Sequence, residues 1–419
     1  MPDDKRRAFT LDLTPIRTSR DFRRLLVGKG VSALGSFATM VALQYQVFHV
    51  THSSFAVGML GVVELVPLLC AALLGGAFAD SHDRKTLVLA SEVVLCLVSV
   101  TLMINALVAT PSLVVIYVCA AISAAASGFH RPALEAMTPR LLPRKQMPAA
   151  SAIRSVLGNS AAIAGPALGG VLIASRGLAF TYAFDVVTFV VSMVAVSGIR
   201  RVPPSAGAAP PSLSGIKDGV IYARSRQELM GSYLIDFNAM LFGMPNALFP
   251  AIAERLGGGR VLGVLYAAPA VGAFIASTTS GWTPRVHRYG MAIILAAAAW
   301  GVAIIGFGLA SSVPLAIGCL IAAGFADMVS ALFRTTLWNQ TIPDALRGRL
   351  AGIEQISYMS GPMLGNAEAG LVASATSVGV SVVSGGVLCV VGSVVLAALL
   401  PRFRQFDIRQ FDRERVVAA

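Results

Sequence analysis

Twelve long apolar segments recur along the 419-residue chain and constrain its fold more than any other feature. Most are longer than the roughly 20 apolar residues that a helix needs to cross a bilayer. Because backbone polar groups in lipid must be bonded within a segment, these segments predict transmembrane helices, and the alternation of a membrane β-barrel is absent. The segments run approximately over 25–48, 55–79, 86–108, 112–136, 151–174, 178–199, 229–252, 261–283, 290–310, 313–338, 352–374 and 377–400.

The composition excludes the soluble alternatives. Only 13% of residues are charged and 56% are hydrophobic, whereas an average soluble domain is about 25% charged. A large soluble domain, a disordered chain and a secreted disulfide scaffold are therefore ruled out. The 5 cysteines all lie within apolar segments and form no CxxC pair, so neither a metal site nor a disulfide framework is expected.

The basic residues are distributed unevenly between the predicted loops. With the N-terminus placed inside, 26 of the 33 Lys and Arg residues lie on the inner side and 3 on the outer side. Positive charge concentrates on the cytoplasmic side of membrane proteins, so both termini are predicted to be cytoplasmic. The net charge of +12 is then explained by loops that face an anionic lipid leaflet, and no nucleic-acid partner is expected.

A stretch rich in Pro, Ala and Ser after the sixth segment reads as a linker and divides the chain six plus six. Two six-helix bundles, with weak sequence matches between them, describe a common transporter architecture. The predicted organisation is a cytoplasmic N-terminal tail over 1–24, a first bundle over 25–199, a cytoplasmic linker over 200–228 that could hold a short amphipathic helix, a second bundle over 229–400 and a basic cytoplasmic tail over 401–419.

The loop between segments two and three, GAFADSHDRK, resembles the pattern G-x-L-a-D-r-x-G-r-[RK] of the major facilitator superfamily. Gly76, Asp80, Arg84 and Lys85 match this pattern, whereas Ser81 replaces a usual basic residue and Asp83 a usual glycine. The resemblance implies the fold of that family, an all-α integral membrane protein with 12 transmembrane helices in two pseudo-symmetric six-helix bundles. It also implies that the four matching residues form a conformational latch, where the glycine permits close helix approach.

A motif in segment five resembles the G-x-x-x-G-P-x-x-G-G pattern of exporters in that superfamily, with matches at Gly165, Pro166, Gly169 and Gly170. Generic small-residue packing would explain the last two glycines alone. Four stretches in both halves, 61–67, 236–245, 343–349 and 361–370, are further similar to the enterobactin-exporter-like and drug:proton antiporter branch. This resemblance implies secondary export of siderophore-like or amphipathic drug-like cargo. A facilitator or importer on the same fold is the alternative, and a non-transport membrane protein is a remote one.

Charged residues inside membrane segments are costly, so each is a functional candidate. Glu64 and Asp236 are the main candidates for proton coupling or cargo binding, because a low-dielectric cavity favours the protonated form of a carboxylate. Arg131 is a candidate for charge pairing or for binding an anionic cargo, and Glu368 for an outer gate or cargo contact. For each acid, the alternative is a fixed salt bridge or a hydrogen bond to a neighbouring helix.

Other polar and aromatic residues receive weaker assignments. Asp327 and Arg334, seven residues apart on one helical face, are expected to anchor separate partners. Glu92, Glu135, Arg154 and Glu354 lie toward cytoplasmic ends, where they are expected to reach water or pair with loop charges. Met and aromatic side chains suit adaptable recognition of bulky compounds, although helix packing is the alternative for each. The predicted cavity wall contains Gln44, Tyr45, Asn238, Met240, Phe242 and Tyr358.

The sequence contains neither a Gly-rich phosphate loop nor a cluster with metal-ligand spacing, so no cofactor or metal is expected and a proton gradient is the expected energy source. The chain is not expected to be an enzyme. The expected partners are a small-molecule cargo and membrane lipid, and the protein is expected to be monomeric. Its expected location is the cytoplasmic membrane of a bacterium, as a multi-pass protein.

Overall fold

A computed structural model describes residues 12–81, 83–202, 221–222, 224–342 and 344–409, without the side chains of 72–81 and 344–357. These residues form α-helices and short 3-10 helices, with no β-strand in the described ranges. The α-helices are α1 Thr14–Thr18, α2 Arg20–Thr51, α3 Ser54–Ser81, α4 Arg84–Leu107, α5 Leu113–Leu141, α6 Met147–Arg176, α7 Leu178–Ser197, α8 Gln227–Phe242, α9 Phe249–Leu256, α10 Gly259–Thr278, α11 Tyr289–Gly308, α12 Val313–Thr341, α13 Asp344–Ala375, α14 Val378–Leu399 and α15 Pro401–Arg404.

Ten helices of the described part are long and apolar enough to cross a membrane: α2 to α7, α10 to α12, and α14. The predicted seventh and eleventh segments correspond to α8, which has 16 residues, and to α13, whose first side chains lie outside the description. An all-α membrane protein is therefore confirmed. The count of twelve spans and the cytoplasmic termini stay predictions.

The predicted segment 229–252 is divided into two helices in the structure. Helix α8 ends at Phe242, a 3-10 turn covers Asn246–Leu248, and α9 begins at Phe249. The break follows from Gly243 and Pro245, since glycine ends helices readily and proline has no N–H to continue the ladder. The indole N–H of Trp300 donates to the carbonyl oxygen of Gly243 over 2.9 Å, so a backbone group released by the break is bonded.

The chain divides into two compact units. The first contains Met1–Leu43 and Val66–Pro211, and the second contains Gln44–Leu65 and Ser212–Ala419. The C-terminal part of α2, its turn into α3 and the first part of α3 therefore group with the C-terminal helices. The predicted domain boundaries at the linker stay a prediction, because much of that linker lies outside the described residues.

The first unit contains a polar seam along α2, α4 and α7. Ser192 donates to the carboxylate of Glu92 over 2.6 Å, and seven residues further along α4, Ser99 donates to Asp185 over 2.7 Å. Gly35 of α2 lies against Asp185, where a Cβ would collide with the carboxylate. Buried polar groups need such partners, and the two acids are only 2% and 1% exposed.

The second unit packs its helices through glycines. Gly272 of α10 faces the backbone of Ile321, and Gly324 of α12 faces the backbone of Pro269, so the two helices approach each other at reciprocal positions. Small residues permit such approach, which strengthens van der Waals contact between membrane helices.

The first part of α3 packs on α13 within the second unit through another set of glycines. Gly58 faces the backbone of Asn366, and Gly61 faces the backbone of Met363. A step from Gly58 to Gly61 along α3 thus matches a step from Asn366 back to Met363 along α13, so the two helices are antiparallel at this contact.

Replacing Gly324 with Ala is expected to lower the thermal stability of the protein, because the added Cβ would collide with the carbonyl oxygen of Pro269. Overpacking of this kind costs about 1–3 kcal/mol. Gly318 lies on the same helix with open space at its Cβ position, so Gly318→Ala is the matched control. The measurement is the melting temperature of purified protein, and equal values for the two variants would contradict the proposed contact.

Candidate transport site

Three charged side chains meet in the second unit. Arg334 of α12 contacts the carboxylate of Asp236 of α8 at 2.5 Å and the carboxylate of Asp327 at 3.8 Å. The side chains of Arg334 and Asp236 are 6% and 7% exposed, whereas that of Asp327 is 37% exposed. We call these three residues the charge triad.

The charge triad corrects one expectation from the sequence. Asp327 and Arg334 do not anchor separate partners, because the arginine bridges both acids. A helical side chain leans toward the N-terminal turn, so a long guanidinium at position 334 can reach back toward position 327. Asp236, predicted as a buried functional acid, takes the closer contact.

Aromatic and hydroxyl groups hold the triad in place. The guanidinium of Arg334 also donates to Ser330 over 3.1 Å. One turn further along α12, the indole of Trp338 donates to Ser232 of α8 over 2.8 Å and stacks on Tyr233 at 5.3 Å between ring centroids. The contacts of Trp338 therefore join α12 to α8 one turn away from the Arg334–Asp236 pair.

A second group of charges lies in the first unit, on α2, α5 and α6. Glu135 accepts from Lys29 over 3.4 Å and also pairs with Arg154, which donates to Thr138 over 3.1 Å. Arg131 lies one turn before Glu135 on α5, is exposed, and makes no hydrogen bond or ion pair with other described residues. We call Lys29, Arg131, Glu135 and Arg154 the basic cluster.

The basic cluster was only partly expected. Arg131 was predicted to pair or to bind an anion, and Glu135 and Arg154 were expected to reach water or pair with loop charges. The structure pairs Glu135 with Arg154 and Lys29 instead, all within helices that can cross the membrane. No sequence signal ties Lys29 to Glu135, because 106 residues separate them.

The remaining candidate acids have no fixed partner in the described part of the chain. Glu64 is half-buried, three residues after Gly61 on α3. Glu368 is half-buried two residues after Asn366, whose side-chain oxygen accepts from the backbone N–H of Ala247 over 3.0 Å. The assigned roles of both acids stay predictions.

The residues of the predicted cavity wall differ in their burial. Asn238 and Met240 are 8% and 4% exposed, and the Asn238 amide donates to the carbonyl oxygen of Cys389 over 2.9 Å. These two residues pack between helices in this structure, and their place on a cavity wall stays a prediction. Tyr358 is exposed and Phe242 is half-buried.

The two wall residues on α2 have defined polar neighbours in the second unit. The side-chain oxygen of Gln44 contacts the hydroxyl of Tyr266, which also lies 2.9 Å from the carbonyl oxygen of Asn246. Tyr45 stacks on His49 at 5.8 Å between ring centroids.

Half of the predicted latch can be placed. The ammonium of Lys85 donates to the carbonyl oxygens of Ser197 and Ile199, both over 2.6 Å, at the end of α7. Arg84 is buried. The side chain of Asp80 and the surroundings of Gly76 lie outside the described part of the structure, so the latch role stays a prediction.

The motif of segment five packs α6 against α2. Gly165 lies against Phe37 and Leu34, and Gly169 lies against the backbone of Ala38. Pro166 is accommodated inside the continuous helix α6, and Gly170 is buried in it. The described residues contain no group of three or more His, Cys, Asp or Glu side chains arranged to hold a metal ion.

A family model described as transmembrane secretion effector matches residues 10–417. The chain belongs to this family of the major facilitator superfamily. The match covers nearly the whole chain and confirms the resemblance inferred from the loop and segment-five motifs.

Curated relatives of similar length point to the same family. The enterobactin exporter EntS of Citrobacter koseri is 28% identical over 404 residues, which cover 96% of this chain and 97% of that protein. EntS of Escherichia coli O1:K1 is 27% identical over the same shares. The family and these relatives are transporters rather than enzymes, which confirms that expectation and the location in a bacterial cytoplasmic membrane.

Solved structures show the same fold at low identity. A POT-family peptide transporter superposes with a TM-score of 0.75 at 11% identity, covering 93% of this chain and 96% of that one. The nucleoside transporter NupG superposes with a TM-score of 0.73 at 14% identity, covering 91% and 99%. The transporter fold of this protein is therefore established, and the exporter relatives favour outward transport of small molecules.

In this transporter, Arg334→Gln is expected to destabilise the protein by about 3–5 kcal/mol, because it leaves two carboxylates without their cation. Adding Asp236→Asn to this variant should recover part of the loss, since one uncompensated charge is removed. The free energies of unfolding of both single variants and the double variant form the test. Arg255→Gln, at an exposed arginine, is the control, and a double variant no more stable than Arg334→Gln would contradict the pairing.

Proposed function

We propose that this transporter exports small organic molecules, siderophore-like or amphipathic and drug-like, in exchange for protons. Export is supported by the exporter relatives and by the segment-five motif around Gly165 and Pro166. Transport would follow a rocker-switch mechanism of alternating access, in which the cargo path opens to one side of the membrane at a time. A proton gradient, without a cofactor, would supply the energy, and a monomer in contact with lipid would be the working form.

The observation that carries proton coupling is the charge triad, in which one guanidinium faces two carboxylates. With both acids ionised the triad has a net charge of −1, and a charge without a partner inside a membrane is costly. A proton on one acid removes this charge. With a proton on one acid the triad is neutral. Without that proton, its net charge of −1 needs water or another positive group nearby.

Asp327 is the acid that we assign to proton exchange. Asp236 lies closer to Arg334, at 2.5 Å against 3.8 Å, and is far less exposed than Asp327. A proton would leave and reach the more exposed carboxylate more easily, while Asp236 keeps Arg334 in place. This assignment moves the proton from Asp236, favoured by the sequence, to its partner across the arginine.

Glu64 is a second candidate for proton transfer. It is half-buried and makes no hydrogen bond or ion pair with other described residues. A carboxylate in such surroundings can exchange a proton without first breaking a salt bridge. Single substitutions of Glu64 and of Asp327, together with the double substitution, separate the contributions of the two acids to proton-driven transport.

The direct test uses inverted vesicles with an imposed proton gradient and fluorescent dyes of different charge. Gradient-dependent accumulation inside the vesicles is expected, and a protonophore should abolish it. Accumulation that persists after collapse of the gradient would contradict proton antiport. Accumulation only in right-side-out vesicles would favour an importer.

Asp327→Asn is expected to abolish gradient-driven accumulation while retaining exchange of cargo between the two sides at equal pH. The amide keeps the shape of the side chain but cannot carry the proton that drives the cycle. Asp236→Asn and Glu64→Gln are measured in parallel, and Glu254→Gln, at an exposed acid of α9, is the matched control. Full gradient-driven transport in the Asp327, Asp236 and Glu64 variants would remove the coupling assignment.

A further inference from the structure

The basic cluster of the first unit has a net charge of +2. Lys29, Arg131 and Arg154 are cations, and among the side chains that the structure describes Glu135 is the one carboxylate paired with Lys29 and Arg154. Within the predicted spans, Arg131 lies five residues before the end of 112–136 and Lys29 four residues after the start of 25–48. The cluster therefore lies inside the predicted spans, toward one end of them.

The side chains of this cluster are not sealed inside the protein. Those of Lys29 and Glu135 are 31% and 50% exposed, and Arg131 is exposed. Charged groups at this depth face water-filled space or protein rather than lipid. An excess of positive charge next to water at this depth attracts an anion, and a guanidinium binds carboxylate or phosphate groups with two parallel hydrogen bonds.

An apolar groove lies on the two helices that carry Lys29 and Arg154. It has a volume of about 410 Å³, lies between α2 and α6, and is lined by residues that include Gly30, Leu34, Leu157 and Ala161. Leu157 lies one turn after Arg154 on the same helix, so the groove continues the face that carries this arginine. Its volume falls within the range of small-molecule sites. The groove can accommodate the apolar part of a ligand, and the cations can bind an acidic group on the same ligand.

We propose that the cargo of this transporter is a lipophilic organic acid, whose anionic group binds Arg131, Lys29 and Arg154 while its apolar body occupies the α2–α6 groove. The proposal rests on the proposed export function and names its substrate class. Glu135 acts as an internal counter-ion that holds Lys29 and Arg154 when no cargo is present. The anionic group of the cargo competes with Glu135 for these two cations and adds the bond to Arg131.

The first test measures binding to the purified full-length transporter by thermal shift titration. The probes are 1-naphthoate and 1-naphthamide, which share size and ring but differ in charge. The acid is expected to bind selectively, and Arg131→Gln should raise its dissociation constant about tenfold or more, because a hydrogen bond to a charged group is lost. Arg131→Lys keeps the charge and should retain most of the binding, which covers the case that the Gln variant does not fold.

Glu135→Gln distinguishes a binding role from a structural one. If Glu135 competes with the cargo, this variant should bind 1-naphthoate more tightly than the wild-type protein, although it loses two ion pairs of the native state. Arg255→Gln, far in sequence from the cluster and exposed, should bind like the wild type. Equal binding of acid and amide, unchanged binding in Arg131→Gln, or weaker binding in Glu135→Gln would overturn the proposal.

Transport measurements separate this proposal from the proposed function. Gradient-driven accumulation of the cationic dye rhodamine 123, without selective binding of 1-naphthoate, would overturn the acid site and leave proton-driven export standing. Selective binding of 1-naphthoate without any gradient dependence of its transport would support the acid site and contradict proton antiport.

Discussion

The requirement that charge inside a membrane be balanced within the protein underlies both candidate sites of this transporter. Only four of its basic residues, Lys29, Arg131, Arg154 and Arg334, fall within the predicted spans. Arg334 faces two carboxylates in the second unit, while in the first unit Lys29 and Arg154 share the carboxylate of Glu135 and Arg131 lies one turn away. Among the described side chains, one site therefore has an excess of negative charge and the other an excess of positive charge. We propose that a proton on Asp327 offsets the first excess and that an acidic cargo offsets the second.

The buried acids of the first unit differ from those of the charge triad, because hydroxyl groups rather than a guanidinium bind them. Asp185 accepts hydrogen bonds from Thr39 and Ser99 at 2.8 and 2.7 Å, and Glu92 accepts one from Ser192 at 2.6 Å. Hydroxyl donors at helix contacts hold these carboxylates in place, and glycines of α2 permit the close packing. Because they are almost fully buried and bonded to helix neighbours, they serve packing in this structure, whereas the side chain of Asp327 is 37% exposed.

Much of the fold could be predicted from the sequence, because the length and apolar character of a membrane span are local properties. The break after Phe242 also had a local signal, Gly243 followed by Pro245, which the apolar character of the segment 229–252 hid. Pairings between helices had no such signal. Lys29 and Glu135 are 106 residues apart, and nothing in one sequence shows which faces of α2 and α5 meet. Arg131 and Asp236 were found because a charge among apolar residues stands out, whereas their partners depend on tertiary packing.

The central claim is that the charge triad holds a proton on Asp327, and infrared spectroscopy of the carboxyl groups measures this most directly. Spectra of wild-type protein and the Asp327→Asn variant are recorded across a pH titration. The account predicts a protonated-carboxyl band that disappears as the pH rises in the wild type and is missing from the variant. A band that is unchanged in Asp327→Asn, or spectra of the two proteins that titrate identically, would contradict it.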